Sequence, residues 1–482
     1  MKQANQNEQW VSMFQADQKV VPRSVWGRFA QLRWVTVWLT QLAFYGAAWV
    51  QYNGRQALLF DIDAQRFFIG PLVFYPQDFI YLTALLVVCA LSLFLFTAVA
   101  GRLWCGYACP QTVYTEIFMW VERKVEGDRA ARLRRSAGPW TLDRIWRAAA
   151  KHGVWLLIAL WTGFTFVGYF TPIQDLFVEL HTFTFTSWEM FWVGFYGFAT
   201  YGNAGWMREQ VCKYMCPYAR FQSAMFDKDT LLVTYDEKRG EPRGPRGKNV
   251  DFKPKGLGAC VDCNLCVQVC PTGIDIRKGL QYECIGCAAC IDVCDGVMDK
   301  MGYDKGLIRY STQNGMANGW NFDQMVKRLF RPRVLVYTAV VWGLIAAVGV
   351  ALNMRHDLRV DVVRDRNTQY RLVENGELEN VYRLNLMNAS EFPLKVSGTL
   401  LKGQGTVESL RIADDANWVL MPTESRWVVV HVRANPDELA PGSNRFELKF
   451  DSQRVKEGAP LDKALDASLE TIVEPAVMLA PL

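Results

Sequence analysis

The spacing of the cysteines carries the first chemical signal in this chain. Of thirteen cysteines in 482 residues, eight fall between Cys260 and Cys294, four form two CxxxCP pairs, Cys89 stands alone, and none follows Cys294. Cys260, Cys263, Cys266, Cys270 and Pro271 make a CxxCxxCxxxCP run; Cys284, Cys287, Cys290 and Cys294 repeat it, with Asp295 in place of the proline. In such duplicated runs three close thiolates surround one iron-sulfur cubane and the fourth reaches the other cluster. One 4Fe-4S cluster is therefore expected on Cys260, Cys263, Cys266 and Cys294, and a second on Cys284, Cys287, Cys290 and Cys270. Zinc is the competing use of CxxC steps, but it takes four ligands per site and gains nothing from this doubled register. A disulfide scaffold would spread its cysteines through an exported domain. Proline fixes φ and removes a donor, so Asp295 is expected to change hydrogen bonding near Cys294 without abolishing ligation.

The CxxxCP pairs are Cys105 with Cys109 and Cys212 with Cys216, in WCGYACPQTVYTE and VCKYMCPYARFQS. Both share a tyrosine two residues after the first cysteine and an aromatic nine after it (Tyr114, Phe221), which suggests a duplicated helical hairpin. A proline favours extended geometry before it and is tolerated at the first helical position. Cys109 and Cys216 are therefore expected at helix starts, where the dipole would lower thiol pKa. Four buried cysteines closing helix ends are the structural alternative; two equivalent copies favour a redox or metal role. Thiolates select Cu(I) over Cu(II), and copper, a further cluster or a reversible disulfide all remain open for these four residues.

Long apolar segments are expected to position these motifs. Five stretches can cross a bilayer at about 20 helical residues each: residues 32–52, 78–100, 151–171, 187–206 and 334–354. The first follows a polar stretch without a cleavage signal and reads as an uncleaved anchor. The loop between the second and third holds nine basic residues (Arg102, Arg123, Lys124, Arg129, Arg132, Arg134, Arg135, Arg144, Arg147), whereas residues 172–186 hold none. By the positive-inside rule the N-terminus and residues 207–333 are cytosolic and everything after about 355 lies outside. The fold class expected is a multi-domain membrane protein. Residues 1–31 form a cytosolic segment, 32–206 four transmembrane helices, 207–333 a linker and two-cluster ferredoxin-like domain, and 334–354 the fifth helix of the bundle. Residues 355–482 form an immunoglobulin-like β-sandwich, suggested by alternating runs such as VYRLNLM and RWVVVHVRA. The charged, Gly- and Pro-rich stretch Glu237–Gly258 reads as a linker.

Composition excludes little else. A formal charge of +5 is small for this length, so nucleic acid is a poor expectation. Cys89 in mid-span reads as a small core residue. His181 with Asp175 and Glu179, Met354 with His356, and His152 read as surface or membrane-boundary residues rather than ligands.

The order of these motifs, with CVDCNLCVQVCPTGIDIR and GLIRYST at 306–312, resembles the CcoG (FixG or RdxA) family of cbb3-type cytochrome c oxidase accessory proteins over essentially the whole chain. The resemblance implies a cupric reductase of the bacterial inner membrane. Its ferredoxin cysteines would be cluster ligands, and Cys105, Cys109, Cys212 and Cys216 the copper or redox site. It would supply Cu(I) for oxidase assembly, with a copper chaperone or exporter and oxidase assembly factors as partners. The sequence does not name the electron donor. An electron-transfer subunit of a quinol-linked enzyme, and a non-enzymatic assembly scaffold, are the rival functions.

Overall fold

In the computed structural model the described residues are 20–248, 254, 256–366, 369–373, 376–401, 408–455 and 465–481. Most of the expected cytosolic segment 1–31 and part of the expected linker lie outside them. The chain forms two compact units: Met1–Gly46, Val87–Val167 and Phe185–Trp342 make the first, Ala47–Leu86, Gly168–Thr184 and Gly343–Leu482 the second.

The main helices are α1 (Arg28–Ala47), α2 (Phe79–Ala100), α3 (Leu103–Tyr107), α4 (Pro110–Glu126), α5 (Arg129–Ala137), α6 (Leu142–Val167), α7 (Ser187–Thr200), α8 (Pro217–Met225), α9 (Ala289–Met301) and α10 (Pro332–Asn353). Among the described residues three segments are long and apolar enough to cross a membrane: Pro76–Ala100, Leu142–Val167 and Pro332–Asn353. The five-helix bundle is therefore only partly present by this measure. The first expected span is helical, but α1 ends at Ala47 and carries Arg33, which is buried and donates to the Cys287 carbonyl at 3.2 Å. The fourth, α7, has 14 residues and continues as a π-helix over Tyr201–Met207, a stretch containing Gly202, Asn203 and Gly205. Cys89 is exposed on α2 rather than in a core.

Helix α6 begins nine residues before the expected third span, because its first turns are basic and invisible to hydropathy. Its contact with α7 depends on glycine: a Cβ on Gly163 would stand 2.4 Å from the Val193 carbonyl and 2.9 Å from the Gly197 nitrogen. Close backbone approach of this kind is how helices associate where lipid removes the hydrophobic drive.

The ferredoxin insertion is closed by two antiparallel strands, β1 (Leu232–Tyr235) and β2 (Ile308–Ser311), with Leu232 opposite Ser311. The segment read as a linker is partly built into this domain. Gly240 packs on the Tyr235 ring, where a Cβ would lie 2.1 Å from the hydroxyl, and Arg246 bonds the Tyr303 hydroxyl and the Gly258 carbonyl.

In the second unit, strands β3 (Leu358–Arg364), β4 (Leu378–Asn388), β5 (Leu394–Leu401), β6 (Arg411–Ile412), β7 (Asn417–Leu420), β8 (Ser425–Ala434), β9 (Gly442–Val455) and β10 (Leu465–Ala480) form two antiparallel sheets, ordered β6-β8-β4-β3 and β7-β5-β9-β10. Alternate residues such as Leu384, Leu386, Val430, Leu448 and Phe450 bury between them, the pattern of a sandwich. The loop after α1 adds an unexpected three-stranded sheet over residues 58–74, whose Leu59, Phe68 and Val73 pack with Met387 of β4. Asp78 there is buried and pairs with Arg355 at 2.5 Å and Arg359 at 3.0 Å.

Candidate functional site

Each ferredoxin run folds the same way. The residue after its CxxC step, Asn264 in one and Ala288 in the other, takes a left-handed conformation (φ +55° and +59°) and opens a helix, Leu265–Gln268 or α9. That strained turn is uncommon away from glycine; here it swings the third cysteine, Cys266 or Cys290, back toward the first two. Cys294, one turn further along α9, faces the first run instead. Cys260, Cys263, Cys266 and Cys294 line one cavity of about 370 Å³, open mouth included, with a largely apolar wall.

The shifts of Cys294 and Cys290 follow mainly the same two groups, although Cys290 also senses Cys266 of the first run. Burial, then the neighbouring Cys266, Asp295, Cys260 and Cys263, push Cys294 up to about 12. Burial, then Cys287, Cys284 and Cys270, push Cys290 well above the ordinary thiol range. So the structure brings Cys294 to the first run's triplet and Cys270 to the second's. Among the described residues no two cysteines form a disulfide, and no three His, Cys, Asp or Glu side chains converge on a point that holds a single metal ion. A cubane spreads its four ligands over four corners, which is the chemistry that these two groups of four cysteines suit. Asp295 accepts the Gly306 N–H at 2.9 Å, so the residue standing for proline ties down the loop after α9.

The CxxxCP pairs meet in the first unit. Cys109 and Cys216 cap α4 and α8, each with proline at the first helical position, as expected. The expected lowering of thiol pKa does not hold for Cys109: burial raises it and outweighs the Gln111 and Thr112 N–H groups that oppose the shift. Burial and then Cys109 likewise push Cys105 up to about 11 and Cys212 to about 12; Cys216 adds to both. The four cysteines thus sense one another across the two hairpins.

Both hairpins lie against the second ferredoxin run. Cys105 and Cys212 pack on an apolar group formed by Val269, Ile285, Cys287 and Ala289. A Cβ on Gly106 would stand 2.8 Å from the Ile285 carbonyl and 2.9 Å from the Cys287 nitrogen, so only glycine admits this approach. Tyr310 holds the same loop by donating to the Gly286 carbonyl at 2.7 Å.

Sequence reasoning passed over four residues here. Arg33 and Arg102 are buried arginines whose charge opposes the burial shifts, at Cys287 and at Cys105, Cys212 and Cys284 respectively. Gln222, fully buried, is 3.6 Å from the Cys105 sulfur through its amide nitrogen. Asp292 accepts from the Phe29 and Ala30 N–H groups at 3.1 and 2.7 Å and so caps α1. Buried charge and amide donors near sulfur ligands set cluster potential. A lone arginine within the apolar run QLRWVTVW was the available signal for Arg33.

Comparison with known proteins follows the same division. A family model for a 4Fe-4S dicluster domain matches residues 207–313, a 4Fe-4S binding domain matches 82–126, and the Ig-like fold at the C-terminus of FixG matches 348–463. The nitrogen fixation protein FixG of Rhizobium meliloti is 38% identical over 464 residues, covering 89% of this chain and 86% of its own. The proteins RdxB and RdxA of Cereibacter sphaeroides are 40% and 39% identical, covering 78% and 79% of this chain and 80% and 82% of theirs. A crystal structure of a FixG-related protein from Vibrio parahaemolyticus aligns over 27% of this chain and all of its own, at 19% identity and a TM-score of 0.20. Identity at the level of the three sequence relatives, over most of both partners, shows that the chain belongs to the FixG/RdxA family, as a membrane iron-sulfur electron-transfer protein with two 4Fe-4S clusters.

Proposed function

We propose that this protein is a cupric reductase that supplies Cu(I) for assembly of a cbb3-type oxidase. The proposed ligand sets are Cys260, Cys263, Cys266 and Cys294 for one cluster and Cys284, Cys287, Cys290 and Cys270 for the other; each cluster, when bound, takes up and releases one electron. Five membrane crossings in an inner membrane would leave the N-terminus and the ferredoxin domain cytosolic and the sandwich outside, as the basic loop between α2 and α6 favours.

The observation that carries the reading is the seating of Gly106 against Ile285–Cys287. It leaves no side chain between the second ferredoxin loop and the hairpin that bears Cys105 and Cys109. Arg102, buried beside Cys105, Cys212 and Cys284, offsets negative charge on both sides of that contact. Cu(II), as substrate, would accept one electron at the membrane-edge thiols, and their softness then retains Cu(I) until a chaperone or exporter removes it. The donor is a reductant able to reduce 4Fe-4S clusters.

The test is anaerobic. Protein with dithionite-reduced clusters, freed of excess reductant, should be reoxidised by Cu(II) with one Cu(I) formed per electron. C105S/C212S should lose that reoxidation while keeping its cluster absorbance. Reoxidation by a quinone analogue but not by Cu(II) would replace this function with a quinol-linked one. A second use of the quartet, a further cluster, is favoured by the 4Fe-4S binding-domain match over 82–126. About eight iron atoms per chain in the native protein would exclude it, and about twelve would establish it.

A further inference from the structure

A cavity in the first unit has no part in electron transfer. It lies between α4, α5 and the start of α6, measures about 830 Å³ with its mouth included, and is walled by Arg132, Arg135, Arg144, Arg147, Lys151 and His152. Glu122 and Glu126 share the wall, but their charge is already matched. Glu122 pairs with Arg132 at 2.8 Å and Arg208 at 2.6 Å, and Glu126 with Lys151 at 2.8 Å. Asp143, exposed at the rim, pairs with Arg147 at 2.8 Å and lies 3.9 Å from Arg135. Among the described residues Arg144 meets no carboxylate; it lies 4.2 Å over Trp140 and donates to the Gly138 and Ser136 carbonyls. Five lining cations and Arg208 therefore face three carboxylates, which leaves an excess of three positive charges.

Planar guanidiniums match phosphate oxygens two at a time, so a phosphate-bearing anion is the ligand that such a pocket suits. The outer side of the same helix start says where that anion comes from. Trp140, Leu142 and Trp146 are 70%, 86% and 74% exposed, and tryptophan in such a collar marks the headgroup level of a membrane. Further along α6, Leu156 and Leu157 are also exposed and offer an apolar track for acyl chains. We propose that this cavity binds the phosphate headgroup of an anionic phospholipid. The site rests on the membrane placement proposed above and is independent of copper.

The full-length protein, purified in detergent with its clusters, is incubated with equimolar phosphatidylglycerol, cardiolipin and phosphatidylethanolamine, and retained lipid is counted by native mass spectrometry. Anionic lipid should be retained preferentially, and R144Q/R147Q should lower that retention about 30-fold, since each basic group near a lipid surface contributes about fivefold. Cluster absorbance should not change. If the double variant fails to accumulate, R144Q alone, which breaks no ion pair among the described residues, should lose roughly fivefold. Equal retention of phosphatidylethanolamine, or an unaltered variant, overturns the proposal. So does displacement of the lipid by millimolar inorganic phosphate, which would assign the pocket to a soluble anion. Flotation with neutral vesicles separates the two failures: a chain that floats without anionic preference keeps the membrane placement and loses this site, whereas one that never floats loses both.

Discussion

Glu122 is fully buried between two arginines, Arg208 and Arg132, of which Arg208 is 3% exposed. Burying such a set contributes little net stability, but removing one member strands a charge. E122Q should therefore destabilise the protein by about 3–5 kcal/mol, read as a fall in thermal midpoint in detergent. The double variant E122Q/R208M should recover most of the loss, because it removes the stranded cation; a midpoint as low as that of E122Q would refute the pairing. Burial raises the Glu122 pKa, but Arg208 and Arg132 outweigh it and hold the carboxyl below its ordinary 4.5. A depressed carboxylate stabilises above its unfolded pKa, so Glu122 should contribute to a fall of wild-type stability as pH drops below 4.5, and that fall should be shallower in E122Q, where the other depressed carboxylates such as Asp128 and Asp275 remain. At this scale the eight ferredoxin cysteines were legible because ligand spacing is local in sequence. Arg33, Arg102 and Gln222 were not, because a buried polar residue among thiols is defined by contacts made across the fold.

Gly106 shows how elements rather than single ligands govern the path. With a Cβ to be placed 2.8 Å from the Ile285 carbonyl, G106V must push α3 away from the second ferredoxin loop. Both clusters should assemble, since no ligand is touched, while reoxidation by Cu(II) should slow about 10- to 100-fold, the usual cost of an ångström of misplacement. Stopped-flow absorbance decides it, and an unchanged rate would remove this contact from the electron path. G163L, whose side chain would meet the Val193 carbonyl, should instead separate α6 from α7 and lower the thermal midpoint in detergent. The helices themselves were visible as apolar runs, but their ends were not. Hydropathy sees the part of α6 suited to lipid and misses Leu142–Ala150, which is helical for reasons of local propensity and basic on its surface. The stretch Glu237–Gly258 looked like a linker from its Gly, Pro and charge content. Pairing of Arg246 with Tyr303 and of Gly240 with Tyr235 shows that the same residues can close a small domain when an aromatic partner is at hand.

At the scale of the molecule, the helix that joins the dicluster domain to the immunoglobulin-like sandwich is α10, Pro332–Asn353, so a membrane separates the two domains if α10 crosses it. Three helices pass by length and composition; α1 and α7 fall short alone, and because both precede the dicluster domain, their crossing sets the side of the N-terminus and not the separation of the two domains. The sequence carried the sandwich through its alternation, yet the three-stranded sheet at residues 58–74 went unseen because its strands have three or four residues each, too few for a period to register. Sidedness can be measured. Met421 and Trp427 are exposed on the sandwich, and Lys300 is exposed on α9. In intact spheroplasts a membrane-impermeant maleimide should label M421C and W427C strongly and K300C only after lysis, above the background set by the native thiols. Labelling of all three before lysis, or of none, would put both domains on one side and show that α10 does not cross the membrane, which would overturn the outward placement of the sandwich.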